Sequence, residues 1–190
     1  CGRRGLSGLA GMAGIPGTVG GAAAGNAGSY GRDMAGVLDG VTVWTPGGGV
    51  ESFGPDRFAT GYRRFTLAGV EGFFVIAQVA LTFETAAQAA VLAEAKHALA
   101  RKKATQPITA ATAGSLFKNP PGDSAGRLLD QAGFRGKRIG DMELSAMHAN
   151  FLVNRGGGTS DAAFELIDAA RAAVRTRFGQ ELELEVKVVS

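Results

Sequence analysis

The apolar positions in the first half of the chain are spaced for β-strands. Residues 40–45 and 50–53 flank a Pro-Gly-Gly-Gly turn at residues 46–49, which predicts a hairpin. Residues 73–83 are nearly all apolar, with only Gln78 and Thr82 polar on one face. The opposite face carries Val75, Ala77, Val79, Leu81 and Phe83. This pattern predicts a buried strand.

The hydrophobic period changes from that of a strand to that of a helix at Thr85. Thr85 and Gln88 have the spacing of a capping box. The apolar positions that follow at helical spacing are Val91, Leu92, Ala95 and Leu99. Residues 85–103 are therefore predicted to form an amphipathic helix. The change in composition at Glu84 predicts a domain boundary.

The rest of the chain alternates helices and strands. Residues 124–131 predict a short helix ended by Gly133, residues 150–154 a strand, and a second helix begins near Ser160 and ends at Gly179. The expected core stripe of that helix is Phe164, Ile167, Val174 and Phe178. In residues 181–190, Leu182, Leu184, Val186 and Val188 alternate with Glu181, Glu183, Glu185 and Lys187. We therefore expect a final strand and an α+β fold.

The amino-acid composition and the charge distribution indicate which classes of ligand this chain could bind. The chain has 190 residues, 45% of them hydrophobic and 19% charged, which indicates a globular protein with a real core. A net charge of +3 suits phosphate-bearing small molecules. The basic residues are scattered apart from the run at 101–103, so nucleic acid is not an expected partner. One cysteine and two distant histidines, His97 and His148, give no ligand spacing, so we expect no metal site.

The chain opens with Cys-Gly-Arg-Arg and has no initiator methionine. A secretory or twin-arginine signal fits poorly, because Pro16 and dense glycines interrupt the apolar region that such signals need. No stretch is apolar enough to span a bilayer. We expect the interior of a longer cytoplasmic protein with no membrane contact.

Residues 5–31 are rich in glycine and alanine, which fits either a flexible linker or a specified turn. The mixture of β-branched residues, Pro and Gly at residues 15–21 favours a tight turn, which can direct backbone N–H groups at a pyrophosphate. The usual dinucleotide and P-loop fingerprints are absent, since Gln131 stands where a P-loop before Gly136 would need its first glycine.

Residues 111–121 form the second candidate segment. Small residues precede Ser115, and Lys118 and Asn119 follow it before Pro120, which predicts a rigid loop presenting polar groups to an anionic ligand. Alternatively, Ser115 caps the next helix and Lys118 is a solvated lysine. A serine hydrolase fits poorly, because Phe117 stands where the Gly-x-Ser-x-Gly elbow needs glycine.

Tyr62, Arg63 and Arg64 form the third candidate segment. Their arginines serve either surface solubility or the two-pronged binding of a carboxylate.

Several of these segments together resemble the flavin-dependent UDP-N-acetylenolpyruvoylglucosamine reductases, the MurB family. The matching segments are residues 13–21, 26–31, 62–63, 113–120, 148–154 and 182–186. They occur in the order typical of that family and cover nearly the whole chain. The two tyrosines, Tyr30 and Tyr62, match the shorter subgroup without an extra tyrosine loop.

The resemblance implies a flavin-binding domain of the vanillyl-alcohol-oxidase-like type at residues 1–83, without its first subdomain. It implies a substrate-binding domain at residues 84–180 and a return strand at residues 181–190. FAD would be held by Gly14, Ile15, Pro16, Gly17, Thr18, Val19 and Gly20. NADPH would be the co-substrate, and UDP-N-acetylglucosamine enolpyruvate would be reduced to UDP-N-acetylmuramate. This cytoplasmic oxidoreductase step serves peptidoglycan synthesis, and with it cell shape and cell division.

The resemblance also assigns roles to single residues. Arg63 would stabilise the charge that develops in the enolpyruvyl group, Glu185 would be its acidic partner, and Ser115 would deliver the proton to C2. Tyr62, Lys118 and Asn119 would hold the UDP-sugar, and a monomer is expected. Phe65 departs from the usual serine two places after the arginine. A non-catalytic nucleotide-sugar-binding remnant of such an enzyme is the alternative.

Overall fold

The computed structural model describes residues 1–189. The chain divides into two compact units, Cys1–Arg101 and a second unit that begins at Lys102. This division lies within a helix, later than the composition change at Glu84. The binding roles expected of residues 1–83 and 84–180 stay predictions.

The first unit consists of short antiparallel pairings and two helices. Its elements are β1 (Leu6–Ser7), α1 (Val19–Ala24), β2 (Gly28–Ser29), β3 (Arg32–Asp33), β4 (Leu38–Thr45), β5 (Gly49–Phe53), β6 (Phe58–Gly61), β7 (Arg64–Leu67), β8 (Val75–Leu81), β9 (Glu84–Thr85) and α2 (Gln88–Thr105), which continues past the unit. Single 3₁₀ turns occupy Gly2–Arg4, Ala10–Met12, Met34–Gly36 and Pro55–Arg57.

The core of the first unit lies against a three-stranded sheet of order β5-β4-β8. The predicted hairpin is confirmed, because β4 pairs with β5 from Val41 opposite Phe53 to Thr45 opposite Gly49. The alternate residues Val41 and Val43 are buried together with Phe53. Further two-stranded pairings join β1 to β9, β2 to β3 and β6 to β7.

Strand β8 confirms the predicted strand and corrects its predicted burial. Val75 is 45% exposed, whereas Ile76 and Val79 pack on the core. The pairing with β4 shifts register at Ala77, between Val43 opposite Ile76 and Thr42 opposite Gln78. This bulge reverses the alternation of faces and places Ile76 on the same side as Val79. β8 is at the edge of the sheet, and its residues Val75, Ala77, Gln78 and Ala80 are exposed.

Helix α2 begins at Gln88, not at Thr85, so the predicted capping box is wrong. Thr85 belongs to β9 and pairs with Leu6, and the Gln88 side chain donates to the carbonyl of Arg3 at 3.2 Å. Val91 is buried as expected, whereas Leu92 is 44% exposed. The first helical hydrogen bonds run to the carbonyl of Ala87, from the N–H groups of Ala90 and Val91, so the helix begins after the residues that pair in β9.

The second unit packs two helices on an antiparallel sheet of order β10-β13-β12-β11. Its elements are β10 (Ala111–Ser115), α3 (Ala125–Gln131), β11 (Arg138–Ile139), β12 (Met142–Leu144), β13 (Phe151–Asn154) and α4 (Ser160–Phe178). Ser124 caps α3 by accepting from the N–H of Arg127, and Gly179 ends α4 in the left-handed conformation at φ 66°. The predicted helices and the strand at residues 150–154 are confirmed, and the fold is α+β.

The core of the second unit corrects the predicted stripe of α4. Ile167 and Val174 are buried as expected, but Leu166 and Ala170 complete the buried face and Phe164 is largely exposed. Phe178 is partly buried against the core.

The C-terminal segment does not form the predicted regular strand. Among residues 181–189 only Leu184 makes a β-bridge, opposite Phe117, and Ser190 lies outside the described residues. Leu182 is buried, and Leu184 and Val186 are partly buried against the core as expected, whereas Val188 is exposed. Alternation predicted most of the inward positions, but within residues 181–189 the main-chain pairing extends only along residues 116–118, which is too short for a regular strand.

Within residues 1–189, no helix combines the length and the apolar character that a membrane span requires.

Candidate functional site

Ser115 lies at the end of β10, where the strand bulges. Thr112 pairs with Val153 and Ser115 with Phe151, so two residues of β10 oppose the single Leu152. Gly114 has φ +91°, a conformation that glycine adopts without strain. The segment 111–121, predicted as a loop, is thus a strand as far as Ser115, and the bulge sets the direction in which Ser115 leaves the sheet.

Beyond Ser115 the chain is held on both edges at Phe117. On one edge the Asn150 side chain accepts from the N–H of Phe117 at 2.9 Å and donates to its carbonyl at 2.8 Å. On the other edge the N–H of Lys118 donates to the carbonyl of Glu183 at 2.8 Å, and the N–H of Glu185 donates to the carbonyl of Leu116 at 2.9 Å. Because each group has a partner, residues 116–118 are rigidly placed.

This pairing brings two of the predicted catalytic residues together. Phe117 lies opposite Leu184 in antiparallel orientation, so Glu185 lies opposite Leu116, the residue that follows Ser115. Both Ser115 and Glu185 are half-buried. The backbone positions of Ser115 and Glu185 are therefore offset by one residue on two segments that are far apart in sequence.

Lys118 and Asn119 have structural partners in the same region. The ammonium of Lys118 lies 2.5 Å from Oε1 of Glu183, whose side chain is exposed. The Asn119 side chain accepts from the N–H of Ala125 at 3.0 Å, at the start of α3. Ser124, not Ser115, supplies the cap of that helix, which removes the structural alternative for Ser115.

Arg63 and Tyr62 form the two-residue turn between β6 and β7, since Gly61 pairs with Arg64. Arg63 has φ +54°, which is uncommon for a residue with a side chain and is typical of turns and functional sites. Its guanidinium lies 5.0 Å from the centre of the Tyr62 ring and donates to the carbonyl of Gly28 at 3.1 Å. The ring of Tyr62 is half exposed.

Asn26 supports this turn, and the sequence reasoning did not single it out. The side chain is almost fully buried, donates to the Gly61 carbonyl at 2.9 Å and to Asp33, and accepts from the N–H of Ala35 at 2.8 Å. Its φ of 39° is left-handed. An asparagine within a glycine-rich run was the available signal, because asparagine tolerates this conformation and can bond in both directions.

The glycine-rich residues 14–20 form an exposed turn with a defined backbone conformation. The sequence pattern favoured such a turn over a flexible linker. Gly17 has φ +118° and open space where a Cβ would stand. Thr18 caps the short helix α1 by accepting from the N–H of Gly21 at 3.0 Å. A bare, exposed main chain of this kind fits the close approach of a diphosphate.

Burial and neighbouring charges shift the pKa values of two groups in the second unit, His148 and Glu143. Burial, with a smaller contribution from Arg135, lowers the pKa of His148. The His148 ring packs against α3, where a Cβ on Gly126 would lie 2.8 Å from its Cε1. A two-pronged bond from Arg155 at 2.8 Å lowers the pKa of Glu143. No cluster of three or more His, Cys, Asp or Glu side chains suited to a metal occurs within residues 1–189.

An apolar cavity of about 440 Å³ lies between β10, β13, α4 and the C-terminal segment. Ala113, Leu116, Leu152, Phe164 and Val186 are among its lining residues. Its surface offers few hydrogen-bonding groups, so it does not suit a phosphate or a sugar.

The fold and the site together define an α+β protein whose second unit presents a hydroxyl, an ammonium and carboxyl groups along one short antiparallel pairing. Residues 106–189 match the family model described as the C-terminal domain of UDP-N-acetylenolpyruvoylglucosamine reductase. The chain is accordingly a member of the MurB family.

Similar proteins support this assignment. The UDP-N-acetylenolpyruvoylglucosamine reductase of Nitratidesulfovibrio vulgaris is 50% identical over 163 residues, which cover 85% of this chain and 55% of that protein. A second reductase of that name, from Symbiobacterium thermophilum, is 44% identical over 160 residues, covering 84% of this chain and 51% of that protein. The chain thus spans about half the length of these curated relatives.

A solved structure agrees with the sequence comparisons. The crystal structure of UDP-N-acetylenolpyruvylglucosamine reductase (MurB) from Thermus caldophilus matches with a TM-score of 0.84 at 35% identity. The match covers 98% of this chain and 66% of that one.

Proposed function

We propose that this chain carries the proton-donating and substrate-binding part of a UDP-N-acetylenolpyruvoylglucosamine reductase, an oxidoreductase of peptidoglycan synthesis. The observation that carries the proposal is the pairing of residues 116–118 with 183–185, which sets Glu185 beside the residue after Ser115. The relatives described above belong to the same family, and the name of these reductases indicates the substrate class.

The chemistry explains why a hydroxyl and a carboxyl are needed together. Reduction of the enolpyruvyl double bond adds a hydride at C3, leaves negative charge at C2 and in the carboxylate, and requires a proton at C2. Ser115 is the proposed donor of that proton. An unperturbed serine hydroxyl is a weak acid, so its neighbours must hold it at the reacting carbon. Glu185 is the proposed acidic partner, and Arg63 is the proposed cation that stabilises the charge.

FAD is the proposed source of the hydride, with NADPH as the co-substrate that reduces it. The residues present fit a flavin diphosphate, because the turn at residues 14–20 offers exposed main chain and Gly17 leaves open space for a close approach. Thr18 fixes the turn through its bond to Gly21. The proposed flavin-binding fold for residues 1–83 is of the vanillyl-alcohol-oxidase-like type.

Lys118, Asn119 and Tyr62 are the proposed ligands of the UDP-sugar. The ammonium of Lys118 suits the diphosphate or a carboxylate, and Tyr62 offers an exposed ring and hydroxyl. Asn119 accepts from the N–H of Ala125 through its side-chain carbonyl oxygen, which places its amide beside the start of α3. The protein is proposed to act as a cytoplasmic monomer.

The purified chain mixed with FAD tests this proposal. A yellow protein that oxidises NADPH only when UDP-N-acetylglucosamine enolpyruvate is added supports it, provided that Ser115→Ala abolishes the substrate-dependent oxidation while the flavin spectrum stays the same. A chain that binds FAD and substrate but never oxidises NADPH contradicts it.

A non-catalytic nucleotide-sugar-binding protein is the second candidate. This candidate predicts binding of UDP-N-acetylglucosamine in calorimetry without any FAD-dependent absorbance. Loss of that binding in Lys118→Ala would place the ligand at the same site.

A further inference from the structure

We propose that Asn150 is a positioning residue of this site: its side-chain amide takes the place of a neighbouring strand for Phe117 and thereby holds Ser115 and Lys118 in register with Glu185 and Glu183. The inference rests on the proposed function for its catalytic consequence. Its structural part concerns only the second unit and can be tested separately.

The pairing of β10 with β13 ends at Ser115 opposite Phe151, and Asn150 is the next residue along β13. Its carbonyl accepts from the N–H of Leu116 at 2.7 Å, which extends the ladder by one bond. The side chain then curls onto Phe117 and bonds both its N–H and its carbonyl, at 2.9 and 2.8 Å. Asn150 is only 3% exposed, so water cannot replace these bonds.

An amide is the side chain that this position requires. It carries an acceptor and a donor in one plane, as a peptide group does, and can satisfy both main-chain groups of Phe117. Aspartate keeps the acceptor, but it loses the donor and places negative charge against the Phe117 carbonyl. Alanine leaves two buried main-chain groups unsatisfied. The N–H of Asn150 itself donates to Nδ1 of His148 at 3.3 Å, which fixes the backbone from which the side chain projects.

The opposite edge of the same segment contacts the C-terminal residues. There Leu116 bonds Glu185 and Lys118 bonds Glu183, through main-chain groups. Residues 116–118 are therefore a narrow strip clamped between Asn150 and residues 183–185. If the side-chain bonds on the Asn150 edge are lost, Phe117 is held on the C-terminal edge only. The strip then becomes mobile, its contacts with residues 183–185 weaken, and Ser115 loses its position relative to Glu185.

The experiment compares Asn150→Ala with Asn154→Ala in the full chain. Asn154 is a matched control, because it lies on the same strand and its side chain holds the N–H groups of Gly156 and Gly158, away from the Ser115 end. Both variants lose side-chain hydrogen bonds to main-chain groups, which are buried at Asn150 and more exposed at Asn154, and both are expected to lower thermal stability. Only Asn150→Ala should weaken the nuclear Overhauser contacts between Leu116 and Glu185 and raise the hydrogen-exchange rate of the Phe117 N–H by about tenfold or more.

The enzymatic arm measures NADPH oxidation by the FAD-loaded protein well below the unfolding temperatures of both variants. We expect kcat to fall about tenfold or more in Asn150→Ala and to stay within about twofold of the parent in Asn154→Ala, with the flavin spectrum unchanged in both. If Asn150 had only a structural role, Asn150→Ala would lower thermal stability but would not lower kcat relative to Asn154→Ala. If Asn150→Ala does not fold, Asn150→Asp is used, which keeps the acceptor for the Phe117 N–H, loses the donor and adds a negative charge beside the Phe117 carbonyl.

The outcomes separate the two proposals. Unchanged contacts between Leu116 and Glu185 in a folded Asn150 variant overturn the positioning role, as does an unchanged kcat. If the parent chain shows no reductase activity but the contacts are lost only in the Asn150 variant, the proposed function fails and the structural clamp stands.

Discussion

Lys118 and Glu183 contact each other twice. The main-chain N–H of Lys118 donates to the Glu183 carbonyl at 2.8 Å, and the Lys118 ammonium lies 2.5 Å from the Glu183 carboxylate. The first contact fixes the register of the C-terminal segment, whereas the second joins two side chains that differ in exposure, Glu183 being open to solvent. The lysine proposed to bind an anionic ligand therefore already has an anionic partner.

Replacing Glu183 by glutamine should strengthen the binding of UDP-N-acetylglucosamine. The carboxylate competes with the diphosphate for Lys118, and an exposed ion pair contributes about 0.2–1 kcal/mol, which corresponds to an affinity gain of about 1.5- to 5-fold. Isothermal titration calorimetry measures the change. Glu181→Gln is the control, because it removes the same charge from the same segment away from Lys118, and it should leave the affinity near that of the parent. Weaker binding in Glu183→Gln would show that Glu183 orients the lysine and does not compete.

Replacing Ser115 by alanine should slow the substrate-dependent oxidation of NADPH. Loss of a positioned proton donor lowers rates by about 100- to 10,000-fold, whereas ground-state binding of the nucleotide sugar should change little. Steady-state kinetics of the FAD-loaded chain separate kcat from KM. Ser52→Ala, on the exposed strand β5, is the control variant. A rate within threefold of the parent would exclude Ser115 as the donor.

Replacing Gly114 by alanine should destabilise the bulge through backbone strain. A Cβ at Gly114 has open space, so crowding does not contribute, but φ +91° is costly for any residue with a side chain. We expect a loss of about 1–2 kcal/mol in the free energy of unfolding, measured with urea. Gly47 serves as the comparison, since its Cβ would also meet nothing and its φ is not in the strained positive range. A loss of equal size in Gly47→Ala would argue against a special conformation at Gly114.

His148 should make the stability of the protein fall as the pH drops below neutrality. Its pKa is lowered in the folded state, chiefly by burial, from an ordinary value of 6.5. The unfolded chain therefore takes up a proton near pH 6.5 that the folded chain does not, so the stability present above that pH is progressively lost below it, by at most about 1.4 kcal/mol per pH unit.

Urea unfolding between pH 5 and pH 7.5 measures this effect. His148→Phe keeps an aromatic ring beside Phe151, whose ring centre lies 4.9 Å away, and should remove most of the acid loss in this range. His97→Gln removes an exposed histidine of α2, and this variant should lose stability at acid pH as the parent does. The same acid loss in His148→Phe as in the parent would assign the effect to another group.

Local signals predicted the elements whose causes are local. The hairpin of β4 and β5, the Ser124 cap of α3 and the Gly179 end of α4 follow from turn and capping residues within a few positions of each other. Thr85 and Gln88 have an equally good capping pattern, but the helix start predicted from it was wrong. Thr85 pairs with Leu6, which is nearly eighty residues away in sequence.

The candidate site shows the same division. Ser115, Lys118 and Glu185 were proposed from a motif and a family resemblance, and their roles stay predictions. Asn150 and Asn26 were not singled out, since nothing near either asparagine in sequence shows which main-chain groups it bonds. Both act through contacts more than thirty residues apart, with Phe117 and Gly61 respectively.

By itself the sequence determined the class of the fold, the ends of its capped helices, the family and the residue types available for chemistry, because these depend on composition, period and short-range bonds. The bulges at Ala77 and Gly114, the partial pairing of residues 183–185 and the clamp on Phe117 were decided by the tertiary structure. Each depends on which distant segment offers a main-chain partner, and that choice is made only when the buried polar groups of the whole unit are satisfied together.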